Sequence, residues 1–362
     1  MPYLYSSEQE QIRDEVRRVM AASCAPATLR NLLESKGACD GQFWGRAAEM
    51  GWTAIGIAEA DGGLGMSIVD TLIIAEEAGR ALAGAPFLAT AFAAQHALAG
   101  AGGHQDLLGA MAAGETKLAL AFEEAGEPLP QAPSVMYRDG RLSGSKQASL
   151  GAAAADVAIV LASQDGAPCL ALVSLDAVGV SREAIDSIDN SRCSANLHFD
   201  NAPATLLAHD DPMVLAGECL GRLALHLAAE AIGGSEACIA KASDYANQRQ
   251  AFGQAIGKFQ AVKHAIAEIY VANELTRASV LEAAVRLERG DRHTGAYIAA
   301  ARLNAVHGYD YAAATATQVH GGIGVTWEED MHLHYRRARS LALEAGPPWF
   351  WEDCIIAMLE AA

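Results

Sequence analysis

The texture of this chain changes twice along its length, and those changes limit its fold more than any single motif does. From Val214 to Gln250 it reads VLAGECLGRLALHLAAEAIGGSEACIAKASDYANQRQ, with no proline and few β-branched residues. Such a run satisfies its backbone hydrogen bonds internally, as an α-helix. FQAVKHAIAEIYVANELTRASVLEAAVRLERGD is a second, amphipathic run. HTGAYIAAARLNAVHGYDYAAATATQVHGG is a third, closed by Gly321 and Gly322, as helices commonly are. Residues 116–208 have the opposite texture. KLALAFEE, SVMYRDGRLSGSK, DVAIVLAS, CLALVSL and SANLHFD are short apolar or alternating runs, separated by RDGR, SQDGAP and DNAPA. That is a strand-and-turn pattern.

Residues 1–115 return to the helical pattern. TLIIAEEAGRALAGAPFLATAFAAQHALAGAG is rich in Ala and Leu, and EADGGLGMS, with Gly62, Gly63 and Gly65, precedes it as a turn. Ser7 and Glu10 have capping-box spacing and predict a helix start. The expected fold is therefore α+β, mainly α, in three parts. These are an N-terminal helical domain over 1–115, a small antiparallel, barrel-like β domain over 116–208, and a C-terminal four-helix bundle over 209–362.

Composition excludes some functions. The 362 residues carry a formal net charge of −18, which repels phosphate backbones, so no nucleic-acid partner is expected. The N-terminal MPYLYSSEQEQIRDEVRRVM is charged and reads as neither signal peptide nor anchor. No apolar run of roughly twenty residues suggests a membrane span. Seven scattered cysteines without a C-x-x-C pair point to a reduced, cytoplasmic protein with no structural metal. His332 and His334 have H-x-H spacing, which on a helix turns the rings to different faces, and no metal is expected. GGLG lacks the preceding strand and glycine spacing of a dinucleotide fingerprint.

Three stretches carry a family resemblance. RQAFGQAIGKFQAVKHAIAEI, from Arg249, resembles the R-x-x-F-G helix entry of acyl-CoA dehydrogenases. QVHGGIGVTWEEDMHLHYRRAR, from Gln318, resembles their Q-x-x-G-G-x-G…R-x-A-[RK] stretch. GWTAIGIAEADGGLGMSIVDTLIIAEEAGRA is similar to their N-terminal glycine turn and following helix. The three occur in the family's order and cover most of the chain. The resemblance implies an FAD flavoprotein acting on acyl-CoA thioesters: a carboxylate takes the α-proton while hydride passes from Cβ to the flavin. It implies a flavin site at a subunit interface. There Arg249, Phe252, Gln318, Gly321 and Gly322 reach the FAD of a neighbouring subunit, the guanidinium suiting pyrophosphate and the glycines allowing close backbone approach. An electron-transfer flavoprotein is the implied electron acceptor.

The pattern also has gaps. Where the family shows a Thr- and Ser-bearing flavin loop, this chain has LALAFEEAGEPLP. Where it shows K-x-[WF]-I-[TS], this chain keeps Lys146 but continues Gln147 to Leu150. The family's catalytic glutamate lies nine residues beyond the Arg matched by Arg336 and twenty-seven beyond the Gln matched by Gln318; both counts fall on Ala345. The alternative base position of a minority of members, on an earlier helix, is Leu223, beside Ala224.

Glu344 is one residue out of register, about 100° around a helix. The plainer expectation is a solvated or ion-paired glutamate near Arg337 or Arg339. The alternative is that Pro347 and Pro348, expected to stop the helix, swing Glu344 into the site. The expected function is a non-catalytic subunit of a heteromeric acyl-CoA dehydrogenase, resembling bacterial enzymes of steroid side-chain CoA thioesters, with a homologous partner in a heterotetramer. The rivals are a self-sufficient homo-oligomeric dehydrogenase using Glu344 and a flavin oxidase or monooxygenase on the same fold.

Overall fold

The structure, a computed structural model, describes residues 5–84 and 89–360. The helical reading of the Ala-rich N-terminal run covers residues 85–88, which lie outside the described residues. The chain falls into two compact units. One comprises residues 1–26, 68–83 and 224–362, and the other residues 27–67 and 84–223.

In the first unit α1 (Ser7–Ser23) is followed by α4 (Ile68–Arg80) and the greater part of α7 (Pro212–Gln248); α8 (Gln260–Glu288), α9 (Thr294–His320), α10 (Met331–Leu341) and α11 (Pro348–Glu360) complete it. α1 is capped one residue earlier than predicted. Ser6 Oγ accepts from Gln9 N at 3.2 Å, and Gln9 Oε1 accepts from Ser6 N at 3.1 Å. Two adjacent serines each have a suitable partner three residues on, and the first of them forms the box. α7 begins as its sequence dictates: Asp211 Oδ1 accepts from Val214 N at 3.1 Å, and Pro212 occupies the first helical position. By length and composition α7 could cross a bilayer, but its most apolar window is 78% buried, which makes it a core helix.

α4 and α7 cross with backbones in contact. A Cβ added to Gly79 would stand 1.8 Å from Glu230 O, and one added to Gly233 would stand 1.7 Å from Glu76 O. Four carboxylates cluster round this crossing, and arginines meet them. Arg337 donates to Glu230 at 2.7 Å, Arg17 to Glu77 at 2.7 Å and Arg277 to Glu76 at 2.5 Å, while Arg277 and Arg80 both pair with Glu236. Glu76, Glu77 and Glu230 are each 1% exposed and Arg337 is fully buried. Charges held this deep persist only because each is paired.

The second unit holds α2 (Pro26–Leu33), α3 (Gly41–Glu49), α5 (Gln95–Ala101), α6 (Gln105–Ala112) and the start of α7. Its sheet is built from β1 (Leu118–Ala121), β2 (Met136–Arg138), β3 (Arg141–Ser149), β4 (Val157–Gln164), β5 (Ala167–Ser174), β6 (Val180–Ala184), β7 (Ala195–Pro203) and β8 (Thr205–Leu207). The order is β6-β7-β3-β2-β4-β5-β8, with β1 also on β4. Most pairs are antiparallel as predicted, but the sheet is mixed. β1 runs parallel to β4 from Leu118↔Val157 to Ala121↔Val160, and β2 meets β4 in parallel at Met136↔Ser163. All four β1 residues are buried. An unbroken apolar run fixes burial but carries no signal of strand direction, which is why the parallel pairs were not predicted. Val135, Leu142, Val160, Leu197 and Phe199 fill the core beneath the sheet.

Two outcomes follow from the first unit. Gly233→Ala forces a methyl into the α4–α7 contact and should cost at least about 1–3 kcal/mol, read as a lower urea midpoint at unchanged slope. His334 is buried against Tyr309, with Nδ1 3.0 Å from the tyrosine Oη, and burial pushes its pKa down to about 3. The unfolded chain binds a proton here below its ordinary pKa while the folded chain does not. This part of stability is present at neutral pH and is lost as pH falls, by about 1.4 kcal/mol per unit, from roughly 6.5 toward 3. His334→Gln should flatten that dependence relative to the unaltered chain.

Candidate functional site

The Arg249 motif forms a tight hairpin directly after α7. β9 (Gln250–Ala251) pairs antiparallel with β10 (Gln254–Ala255). Its two-residue turn has Phe252 at φ +52° and Gly253 at φ +78°, the conformation that matches strand twist in short hairpins. Glycine takes it freely, whereas phenylalanine does so at a cost. The turn holds the Phe252 ring outward, 95% exposed, edge-on to Phe259 at 6.2 Å. Arg249 is also exposed, and its backbone is fixed by bonds to Tyr245 O and from Ile256 N, both 2.8 Å.

The Gln318 motif ends α9. Gln318, Gly321 and Gly322 are all exposed. Gly321 closes the helix at φ +67°, and a Cβ added at either glycine meets nothing. His320, 5% exposed, stacks on Tyr245 with ring centroids 4.4 Å apart. The end of α9 therefore lies against the last turns of α7, four residues before Arg249, so the two motifs belong to one region of the first unit. The sequence reading missed the apolar side chains that accompany them: Val325 is 69% and Trp327 52% exposed. Arg336 lies over the Trp327 ring at 5.5 Å. The signal was present as three large apolar residues (Ile323, Val325, Trp327) just beyond a glycine pair.

The base region departs from expectation. α10 ends at Leu341, three residues before Glu344, so Glu344 lies in a turn. Pro348 is the first residue of α11. The prolines thus start a helix instead of stopping one, consistent with the fixed proline φ and its missing donor. Ala345, on which the register count places the expected base, has φ +55°, followed by Gly346 at φ +101°. The turn is locked by its carbonyls. Arg302, fully buried, donates to Leu341 O and to Glu344 O, the latter at 2.7 Å, and Trp351 Nε1 donates to Ala345 O at 3.1 Å. Arg337 is engaged by Glu230 and by Ala83 O, and Arg339 by Asp310 at 3.1 Å and Tyr335 Oη at 3.0 Å. Leu223, where the alternative base is expected, and its neighbour Ala224 are buried apolar residues at 4% and 0% exposure.

In the second unit Lys146 is wholly buried. Its ammonium donates to Glu124 Oε1 at 2.6 Å and Phe122 O at 2.9 Å, and burial lowers its pKa to about 8. Glu124 also accepts from Ser134 N at 2.6 Å and Val135 N at 3.2 Å. Gln147 N donates to Glu123 O at 3.0 Å. The LALAFEEAGEPLP stretch is thus joined to β3 by its own buried ion pair. Among the described residues no group of three or more His, Cys, Asp or Glu side chains is placed to hold a metal ion.

An exposed arginine and an exposed phenylalanine contribute little to the fold that displays them. Arg249→Ala and Phe252→Ala should each change the unfolding free energy of the isolated chain by no more than about 0.5 kcal/mol, measured by urea titration.

Comparison with known proteins gives this geometry a family. Residues 6–115 match the acyl-CoA dehydrogenase N-terminal domain and residues 213–348 the acyl-CoA dehydrogenase C-terminal domain. Acyl-CoA dehydrogenase IpdE2 of Mycobacterium tuberculosis is 31% identical over 92% of this chain and 92% of its own length. Among solved structures, a variant of the Tcur3481–Tcur3483 steroid ACAD superposes with TM-score 0.89 at 26% identity, covering 98% of this chain and 99% of that one. The ChsE4–ChsE5 complex of Mycobacterium tuberculosis shares the fold, with TM-score 0.89 at 23% identity and full coverage of both chains. With two domain models in the family's order and a relative aligned almost end to end, the chain belongs to the acyl-CoA dehydrogenase family of FAD-dependent flavoprotein oxidoreductases.

Proposed function

We propose that this chain is the subunit of a heteromeric acyl-CoA dehydrogenase that contributes contacts to a homologous partner's FAD and carries no catalytic base of its own. The observation that supports this most is the turn at Ala345. The base position holds a methyl group, and Arg302 and Trp351 pin the backbone on both sides of it. Glu344 is kept in that turn, next to the position and not at it.

The residues of the Arg249 and Gln318 motifs fit the diphosphate and flat rings of a flavin dinucleotide. Arg249 presents a planar fork of donors suited to a pyrophosphate. Phe252 offers an exposed aromatic face, Gln318 a neutral polar contact, and Gly321 and Gly322 an unobstructed backbone. FAD, when bound, supplies the hydride acceptor for α,β-desaturation of an acyl-CoA thioester. The closed Glu124–Lys146 pair supports loss of a complete flavin-ring site in this chain. Likeness to the Tcur3481–Tcur3483 steroid ACAD supports a steroid side-chain CoA as the substrate class. The family supports a cytoplasmic complex that passes electrons to an electron-transfer flavoprotein.

Co-expression tests this reading. The chain alone should be colourless or insoluble, and should yield a yellow complex with a homologous subunit; stable stoichiometric FAD on the chain alone would overturn it. In the complex, Glu344→Gln should change turnover by less than a few fold, whereas removal of a general base costs roughly 10²–10⁴-fold. A loss of that size, with folding and flavin intact, would make Glu344 the base of a self-sufficient enzyme. Arg249→Ala should weaken FAD retention by about tenfold or more, since it removes charge-assisted hydrogen bonds.

A further inference from the structure

Two of the cysteines meet inside the second unit, apart from the Arg249 and Gln318 motifs. Cys39 lies in the connection between α2 and α3, and Cys193 in the connection between β6 and β7. Several contacts hold these connections together. Asn190 Nδ2 donates to Leu33 O at 2.9 Å, and Ala153 N donates to Cys193 O at 3.0 Å. A Cβ added to Gly37 would stand 2.8 Å from Ala184 Cβ and 3.7 Å from Ala153 Cβ. One added to Gly84 would stand 3.4 Å from Ser191 O and 3.7 Å from Asp40 Cβ, so residues close to each cysteine converge on one point.

The two thiols are not equivalent. Cys39 is part-exposed, whereas Cys193 is 1% exposed. Cys193 follows the turn Asn190–Arg192 at φ +43°, a left-handed backbone that a residue with a side chain adopts at a cost. Its N–H donates to Asn190 O at 3.1 Å and fixes that conformation. The Cys193 S–H has two acceptors in reach, Ser191 O at 3.6 Å and the Cys39 sulfur. The hydrogen bond from Cys193 holds the Cys39 pKa below its ordinary value, against burial and the Asp40 carboxylate, and the Lys117 ammonium acts in the same direction as that bond. The same hydrogen bond, with burial, pushes the Cys193 thiol up. Burial also pushes up Cys169, Cys219, Cys238 and Cys354. A part-exposed cysteine that favours the thiolate thus has a protonated one against it, the arrangement of an attacking and a resolving thiol.

We propose that Cys39 and Cys193 form a peroxide-responsive thiol pair, in which hydrogen peroxide oxidises Cys39 and Cys193 resolves the product to a disulfide that ties the α2–α3 connection to the β6–β7 connection. In the first step the Cys39 thiolate attacks one peroxide oxygen. An S–O bond forms, the O–O bond breaks, and the departing hydroxide takes a proton to become water. In the second step the Cys193 sulfur attacks the Cys39 sulfenic acid. An S–S bond forms, the S–O bond breaks, and the departing hydroxide carries off the Cys193 proton as a second water. Two thiols lose two electrons and two protons, and one peroxide is reduced to two waters. The inference does not depend on the flavin reading, because the pair and the motifs of that reading share no residue.

The test treats the folded, fully reduced chain with hydrogen peroxide, blocks the remaining thiols by alkylation and maps the peptides by mass spectrometry without reductant. A peptide joining Cys39 to Cys193 should appear, and dithiothreitol should abolish it. Cys39 should be consumed about tenfold or more faster than Cys354, which is also part-exposed but lacks a thiolate-stabilising neighbour. Cys193→Ala should leave the sulfenic acid unresolved and raise dimedone labelling of Cys39 by about tenfold. Cys39→Ser should leave Cys193 reduced. The peptide map of the unaltered chain decides the pairing even if a variant fails to fold. The proposal is overturned if Cys39 passes to sulfinic acid without a linked peptide, or if it reacts no faster than Cys354. It is overturned equally if Cys39 links to a different cysteine or to a second chain, or if the linked peptide forms only in urea.

Discussion

The backbone contact of α4 with α7 governs how the first unit is put together. Gly79 and Gly233 let the two helices approach until a carbonyl of each fills the space where the other would carry a Cβ. At that separation the residues alongside, Glu76, Glu77 and Glu230, cannot reach solvent. Their charges then oblige α1, α8 and α10 to deliver Arg17, Arg277 and Arg337 to matching positions. Ion pairs this deep are weak evidence of stability, because desolvation offsets most of the Coulombic gain. Their effect is on specificity: a slip of any one helix strands a buried charge. The crossing thus sets the register of α7, whose end leads into the Arg249 motif.

Much of this was legible in the residues, and what was legible had a local cause. The three long helices after residue 209 show in their composition. The closure of α9 at Gly321 follows from glycine placed where a left-handed backbone is needed, whereas the hairpin after Arg249 was not predicted. What was missed had non-local causes. LALA in β1 announces burial, but its parallel pairing with β4 depends on chain routing. Ser6 and Ser7 offered two capping boxes to a local reading, and the fold took the earlier. Pro347 and Pro348 were read as the stop of a helix that ends on its own at Leu341, because a proline before a helix and one after it look alike until the preceding residues are placed.

The candidate site divides along the same line. The residue identities at Arg249, Phe252, Gln318, Gly321 and Gly322 could be read directly, and the register count to Ala345 needed no coordinates. Their exposure could not, nor could the burial of Lys146 with Glu124, which lie far apart in sequence. Glu344 was expected beside Arg337 or Arg339. Arg337 pairs with Glu230 and Arg339 with Asp310. A pairing of that kind depends on which helix faces which, and helical periodicity alone does not fix it.

The turn at Phe252 has a consequence for anyone seeking to toughen this protein. An aromatic residue in a left-handed turn conformation is what a sequence-optimising procedure would replace first, with asparagine or aspartate, the residues two-residue hairpins favour. Such a change would tighten the hairpin and raise the melting temperature while deleting a ring that is 95% exposed. Here, selection for thermal robustness and retention of the displayed aromatic surface pull in opposite directions, and a hardened variant would have to leave this turn as it is.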